Sequence, residues 1–220
     1  MFCRTRLNFG MRSKLLVFLA LAALCSGGLV AAAEARFNGR IVLRWVDENQ
    51  FVAAMQLVEN FSFMPANGKA WVVPAGAVVD GRSMSPLFVQ LAGHPFEGGF
   101  RKTAIIYDYA TKEMSQPWQD AQHIFFEGSV TEGILPIEAK VMYLLLYATG
   151  PRWVVRGKSS CFDHCHTADG ELEWRPLVDD DAVIALVSWV RDNDPSLDEI
   201  DKRVSGVILH PGPHIFGFVR

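Results

Sequence analysis

The sequence predicts an α+β fold: an antiparallel N-terminal sheet packed by a following bundle of helices, with a C-terminal appendage that carries Cys and His. Three observations predict it. Residues 37–80 hold short runs of β-branched and aromatic residues broken by polar or Pro/Gly turns. Residues 83–150 hold helical spacings punctuated by caps and stops. Strands come first and helices afterwards, the order expected of an α+β domain rather than of alternating parallel units. Half of the 220 residues are apolar and 11% are aromatic, which is enough to build a packed core and argues against a disordered chain.

The β region divides into two pairs. Ile41–Val46 and Phe51–Leu57 flank Asp47-Glu48-Asn49-Gln50, a connection of hairpin length. Phe61-Ser62-Phe63 alternates, Pro65-Ala66-Asn67-Gly68 turns, and Ala70–Val73 continues until Pro74-Ala75-Gly76 breaks it; Ala77-Val78-Val79 then leads into Asp80-Gly81. The first helix is capped by Ser83 or Ser85, has Pro86 in its first turn and ends at Gly93. A second runs from about Gly99 to Lys112, and its spacing puts Ala104 and Asp108 on one face. Ser115 opens a third, whose stripe is Trp118, Ala121, Gln122, Phe125 and Ser129, and Gly133 closes it. Pro136 opens a fourth, which Gly150-Pro151 stops. Beyond it come a strand at Trp153-Val154-Val155, a polar loop from Lys158 to Arg175, and two helices, Ala182–Arg191 behind Asp179-Asp180-Asp181 and Ser196–Val204. The domains read as a signal peptide at 1–35, an α+β domain at 36–157 and an appendage at 158–220.

The N-terminus has the three zones of an export signal. Arg4, Arg6, Arg12 and Lys14 form a positive region, Leu15–Ala23 an apolar run, and Ala33-Glu34-Ala35 a small-x-small cleavage site. Ala31-Ala32-Ala33 serves equally well, and Met11 is an alternative start. The apolar run falls short of the ~20 residues a spanning helix needs. A periplasmic or secreted protein with no stable membrane span after cleavage is therefore expected. Cleavage at residue 35 takes Lys+Arg from 21 to 17 and Asp+Glu from 24 to 23, leaving a net charge of −6. That charge argues against nucleic acid, which requires a positive footprint.

Two constellations carry the chemistry. The first is Asp80, Ser83, Tyr107 and Asp108, with His94 and His123 as further candidates. Paired carboxylates beside a hydroxyl suit acid–base or metal-dependent hydrolysis. The same residues also suit a structural role, in which Asp80 caps a turn, Ser83 caps the next helix and Asp108 accepts hydrogen bonds from the Asp80 loop. The second is Cys161-Phe162-Asp163-His164-Cys165-His166. In an oxidising compartment a Cys161–Cys165 disulfide is the default, and a spacing of four allows α-carbons ~6 Å apart. Cys161, His164, Cys165 and His166 also make a donor set for zinc or copper, which His210 and His214 would complete if the C-terminus folds back. Covalent haem attachment wants Cys-x-x-Cys-His, and the extra residue here argues against it. No cofactor is expected by default. The aromatic stripe at Trp118 and Phe125 reads as core, and the chain contains neither a Gly-x-Ser-x-Gly elbow nor a Walker-type loop.

Five segments occur in an order that resembles a known family: Pro74-Ala75-Gly76; Asp80 with Ser83; His94-Pro95-Phe96-Glu97-Gly98; Ala104–Tyr109; and Ala121-Gln122-His123-Ile124-Phe125. Together they resemble the DUF1353 family of phage and bacterial proteins, a domain of unknown function, over roughly Trp71 to Gly150. The resemblance implies the fold. It also implies a His before the Asp of the second helix and an Asp after Ala121; this chain has Tyr107 and Gln122 at those positions. With that trio incomplete, the leading expectation is an exported envelope protein acting as a binding or structural module. An envelope hydrolase using Asp80 and Asp108 is one alternative, and a metal or redox protein using the Cys161–His166 loop is another. Partners are not specified by the sequence.

Overall fold

The computed structural model describes residues 34–46, 54–155, 170–174 and 176–209. The second unit of the chain, Glu34 onward, is compact. Six strands precede the first helix: β1 (Arg36–Asn38), β2 (Leu43–Trp45), β3 (Met55–Leu57), β4 (Phe61–Met64), β5 (Trp71–Val73) and β6 (Val78–Val79). They form two antiparallel three-stranded sheets rather than one, ordered β1-β4-β5 and β2-β3-β6. The register sets Leu43 opposite Leu57 and Phe61 opposite Val73. In β4 the period-two rule holds: Phe61 and Phe63 are buried while Ser62 and Met64 are half-buried.

Four helices follow: α1 (Pro86–Ala92), α2 (Arg101–Glu113), α3 (Trp118–Thr131) and α4 (Pro136–Thr149). Ser85, not Ser83, caps α1: its side chain accepts from the Phe88 N–H at 3.1 Å, and Pro86 fills the first turn. At α3 Pro117 occupies the cap position, so Ser115 does not cap it. The start of α2 is capped from a distance. Its cap residue Phe100 offers no side-chain bond, and the Glu132 carboxylate accepts from the N–H groups of Lys102 (3.0 Å) and Thr103 (2.9 Å).

Helix α2 lies at the centre. Thr103 through Asp108 are all buried, which happens when a helix is covered on more than one side. Ile105 and Ile106 pack with Leu57, Phe61, Phe63, Val73 and Val79 of the sheets. Ala104 and Tyr107 belong to the helical core with Phe88, Phe125 and Leu144. The α3 stripe read from the sequence is the packed one, since Ala121, Gln122, Phe125 and Ser129 are buried. Gly128 lets α3 approach α2, because a Cβ there would lie 2.6 Å from Thr103 Oγ1.

The chain continues through β7 (Arg152–Val155), β8 (Gly170–Trp174), β9 (Leu177–Val178), α5 (Asp180–Asn193), α6 (Leu197–Ser205) and β10 (Ile208–Leu209), with β7 paired to β8 and β9 to β10. Both helices have local caps, Asp179 for α5 and a Ser196–Glu199 capping box for α6. Val183, Val190, Ile200 and Val204 are buried in the same core as α4. Residues 1–33 of the signal expected at 1–35, and the Cys161–His166 loop, lie outside the described residues.

Candidate functional site

Asp108 organises the turn that links β6 to α1. Its side chain is fully buried. Oδ1 accepts from the Ser83 hydroxyl at 2.8 Å and, more weakly, from the Ser83 N–H at 3.4 Å. Oδ2 accepts from the Asp80 N–H at 2.9 Å and pairs with Lys112 Nζ at 3.1 Å. Lys112 lies one helical turn on, and it also reaches Asp80 Oδ1 at 3.2 Å and the Val78 carbonyl at 3.1 Å. Asp80 folds back on its own loop, accepting from the Arg82 N–H at 3.0 Å. Between them Gly81 takes φ +70°, and a Cβ there would lie 2.8 Å from Pro95. The structure thus brings Asp80, Ser83 and Asp108 together. Both oxygens of the buried Asp108 carboxylate are thus engaged by groups of the fold.

Tyr107 does not join them. One residue earlier on α2, its side chain leaves about 100° away around the helix. It packs edge-on against Phe125 at 5.6 Å, and its hydroxyl lies beside Gly150, as does the Gln122 amide. The two positions at which the chain departs from the family pattern are therefore neighbours beside Gly150, on a different face of α2 from Asp108. His94 accepts from the Phe96 N–H through Nδ1 at 3.4 Å and stays in its loop. His123 stacks flat on Tyr143, with ring centroids 5.5 Å apart. Among the described residues no group of three or more His, Cys, Asp or Glu side chains is arranged to hold a metal ion. Cys161, His164, Cys165, His166, His210 and His214 lie outside the described residues.

Two features were not singled out from the sequence. The first is a buried arginine. Arg152 is 3% exposed; its guanidinium lies 3.5 Å from the Trp118 ring centroid and 4.7 Å from that of Tyr147. Nη2 donates to the Tyr147 carbonyl, and Nη1 is buried with no hydrogen-bond partner among the described residues. Burial lowers the Arg152 pKa to about 10, so it remains charged at neutral pH. Nearby, the Tyr143 hydroxyl donates to Asp201 Oδ1 at 2.8 Å. Burial and this bond push the Tyr143 phenol above its ordinary value, and burial holds the Asp201 carboxyl above the usual carboxylate range. A signal for Arg152 exists in the sequence: it is the lone charge within Pro151-Arg152-Trp153-Val154-Val155.

The second is an open cleft of about 520 Å³ between β5 and the faces of α2 and α3. Ile106, Tyr109, Ala110 and Glu113 come from α2, and Asp120, His123, Ile124 and Glu127 from α3. Both sets follow the i, i+3, i+4, i+7 spacing of one helix face. The 65–73 segment forms the opposite wall, tied to α3 where Glu127 Oε1 accepts from the Ala66 N–H at 2.7 Å. Burial, and then the charge and hydrogen bond of Glu113, raise the Tyr109 phenol above its ordinary pKa. The volume lies within the range of small-ligand sites.

Residues 55–146 match the model of a family described as "Protein of unknown function (DUF1353)". The match begins earlier than the resemblance read from the sequence, at the first residue of β3. Two curated relatives come from Sinorhizobium fredii (strain NBRC 101917 / NGR234). Uncharacterized protein y4jT is 36% identical over 103 residues, covering 47% of this chain and 31% of that protein. Uncharacterized protein y4iH is 26% identical over 152 residues, covering 64% of this chain and 62% of that protein. The chain thus spans less than two thirds of the length of either relative. No solved structure matches it significantly. The similarity to the DUF1353 family thus runs from β3 into the last turn of α4.

Proposed function

We propose that this is an exported protein whose DUF1353 domain is a binding module, with the cleft between β5 and helices α2 and α3 as its ligand site. One observation carries the choice of binding over hydrolysis: both oxygens of Asp108 are engaged by the turn and Lys112 inside the protein. A general acid or base must reach the proton it moves, within ~3 Å or through one water. The cleft is open, and it combines an apolar floor at Ile106 and Ile124 with exposed carboxylates at Glu113 and Asp120.

Two experiments test this reading. Intact-mass analysis of the protein from its native host should find a start near Glu34 or Arg36; a membrane-bound form that retains residues 1–33 refutes export. A photo-crosslinking amino acid placed at Lys69, on the cleft rim, should give a cell-dependent adduct. The same group at Arg82, on the Asp80 turn, should not. Adducts at Arg82 alone, or at neither position, refute binding in the cleft.

A further inference from the structure

The cleft wall is a strand edge. Strand β5 pairs with β4 on one side, and among the described residues no strand pairs with its other side. Residues 68–73 all line the cleft, including Trp71, Val72 and Val73 in succession. Successive residues of a strand point to opposite faces, so a surface formed by a sheet face presents every second residue. A surface that meets consecutive residues meets the edge, where backbone N–H and C=O groups point outward. The burial pattern agrees: Val73 is 1% exposed and faces α2, whereas Val72 is 52% exposed on the other face.

The charges of the cleft select its occupant. Glu113 and Asp120 are exposed carboxylates, with Glu127 further along the same face of α3, and among the described residues of the lining Lys69 is the only Lys or Arg. Apolar surface from Ile106, Tyr109 and Ile124 lies between the carboxylates. Ile106 to Glu113 spans ~10 Å of helix, about the length of three residues in a strand. A second copy of this chain is a poor occupant, because edge-to-edge pairing would bring the two sets of carboxylates together.

We infer that the cleft takes an extended peptide with alternating basic and apolar residues, added as a further strand on the edge of β5. The backbone of β5 would supply strand hydrogen bonds; the basic side chains would face α2 and α3, their charges meeting Glu113 and Asp120 and their aliphatic stems lying on Ile106, Tyr109 and Ile124, while the apolar ones would point to the opposite face beside exposed Val72. This rests on the reading of the cleft as a binding site and adds the class of partner.

The test uses the mature protein and synthetic heptapeptides, with binding followed by titration calorimetry. Acetyl-Lys-Val-Lys-Val-Lys-Val-Lys-amide should bind at least about tenfold tighter than the peptide with Glu in place of Lys. N-methylation of alternate backbone nitrogens should weaken it by about tenfold or more, since two or three strand hydrogen bonds of ~1 kcal/mol each are lost. The exposed double substitution Glu113→Gln with Asp120→Asn should weaken it about fivefold, in line with two surface ion pairs. Equal affinity for the N-methylated peptide overturns strand addition. Equal affinity for the Lys and Glu peptides, or binding of neither, overturns the basic partner. If that happens while the Lys69 adduct still forms in cells, binding in the cleft stands and only the partner class falls; if the adduct is also absent, both fall.

Discussion

Replacing Asp108 separates a structural carboxylate from a catalytic one. Asp108→Ala removes the acceptor of the Ser83 hydroxyl, the Ser83 N–H and the Asp80 N–H, and it strips Lys112 of one of its two carboxylates. Each buried donor left without a partner costs about 1–3 kcal/mol, and removing one member of a buried charged set costs about 3–5 kcal/mol. A loss of about 3–5 kcal/mol is expected, or about 6–20 °C of melting temperature for a chain of this size. Asp108→Asn should cost less. With the amide nitrogen turned toward Ser83, its hydroxyl can rotate to accept, only the weak 3.4 Å bond is lost, and the carbonyl still serves the Asp80 N–H and Lys112. About 1–2 kcal/mol is expected, mostly from the lost charge. Calorimetry and urea unfolding of the two variants provide the assay, with Ser83→Ala closing a double-mutant cycle whose coupling should be about 1 kcal/mol. The reasoning is refuted if Asp108→Ala melts within 2 °C of the parent, or if Asn costs as much as Ala. An activity lost equally in both variants while Asn retains its stability would place Asp108 in chemistry instead.

Three further outcomes are expected. Gly81→Ala should cost about 2–3 kcal/mol in urea unfolding, because φ +70° is unfavourable for a residue with a Cβ and that Cβ would meet Pro95 at 2.8 Å. Asp201, with its pKa raised in the folded state, binds its proton more tightly folded than unfolded. Its contribution therefore favours folding below the unfolded value of ~3.9 and is lost as pH rises through the folded pKa. Asp201→Asn, which keeps an acceptor for Tyr143, should flatten that part of the stability–pH profile and leave stability at pH 7 equal or higher. Thiol titration of the unfolded protein should count none free at Cys161 and Cys165, and a double Cys→Ser variant should fold with a modest loss, since so small a ring constrains little chain entropy. Two free thiols together with bound zinc or copper would refute the bridge.

The sequence alone determined whatever is encoded locally. The breaks at Gly93, Gly133 and Gly150 fall just past the ends of their helices, and Gly93 and Gly133 there take the positive φ that glycine adopts freely. Pro86 and Pro136 mark helix starts, and Asp179 and Ser196 cap their helices, because these signals act within one turn. The polar residues of the Asp80 turn and Asp108, 28 residues apart, were legible as a group because both segments belong to the block that resembles the family. Three things were decided only by tertiary structure. The β residues divide between two sheets, since which edges meet depends on packing against α2 rather than on period-two alternation. Tyr107 and Asp108, adjacent in sequence, serve different faces of one helix, because its side chains turn by about 100° per residue: Tyr107 joins the helical core and Asp108 the β6–α1 turn. The cleft draws the 65–73 segment, one face of α2 and one face of α3 to a single place. None of the three carries a motif of its own, and a surface assembled from separate elements exists only once the chain has folded.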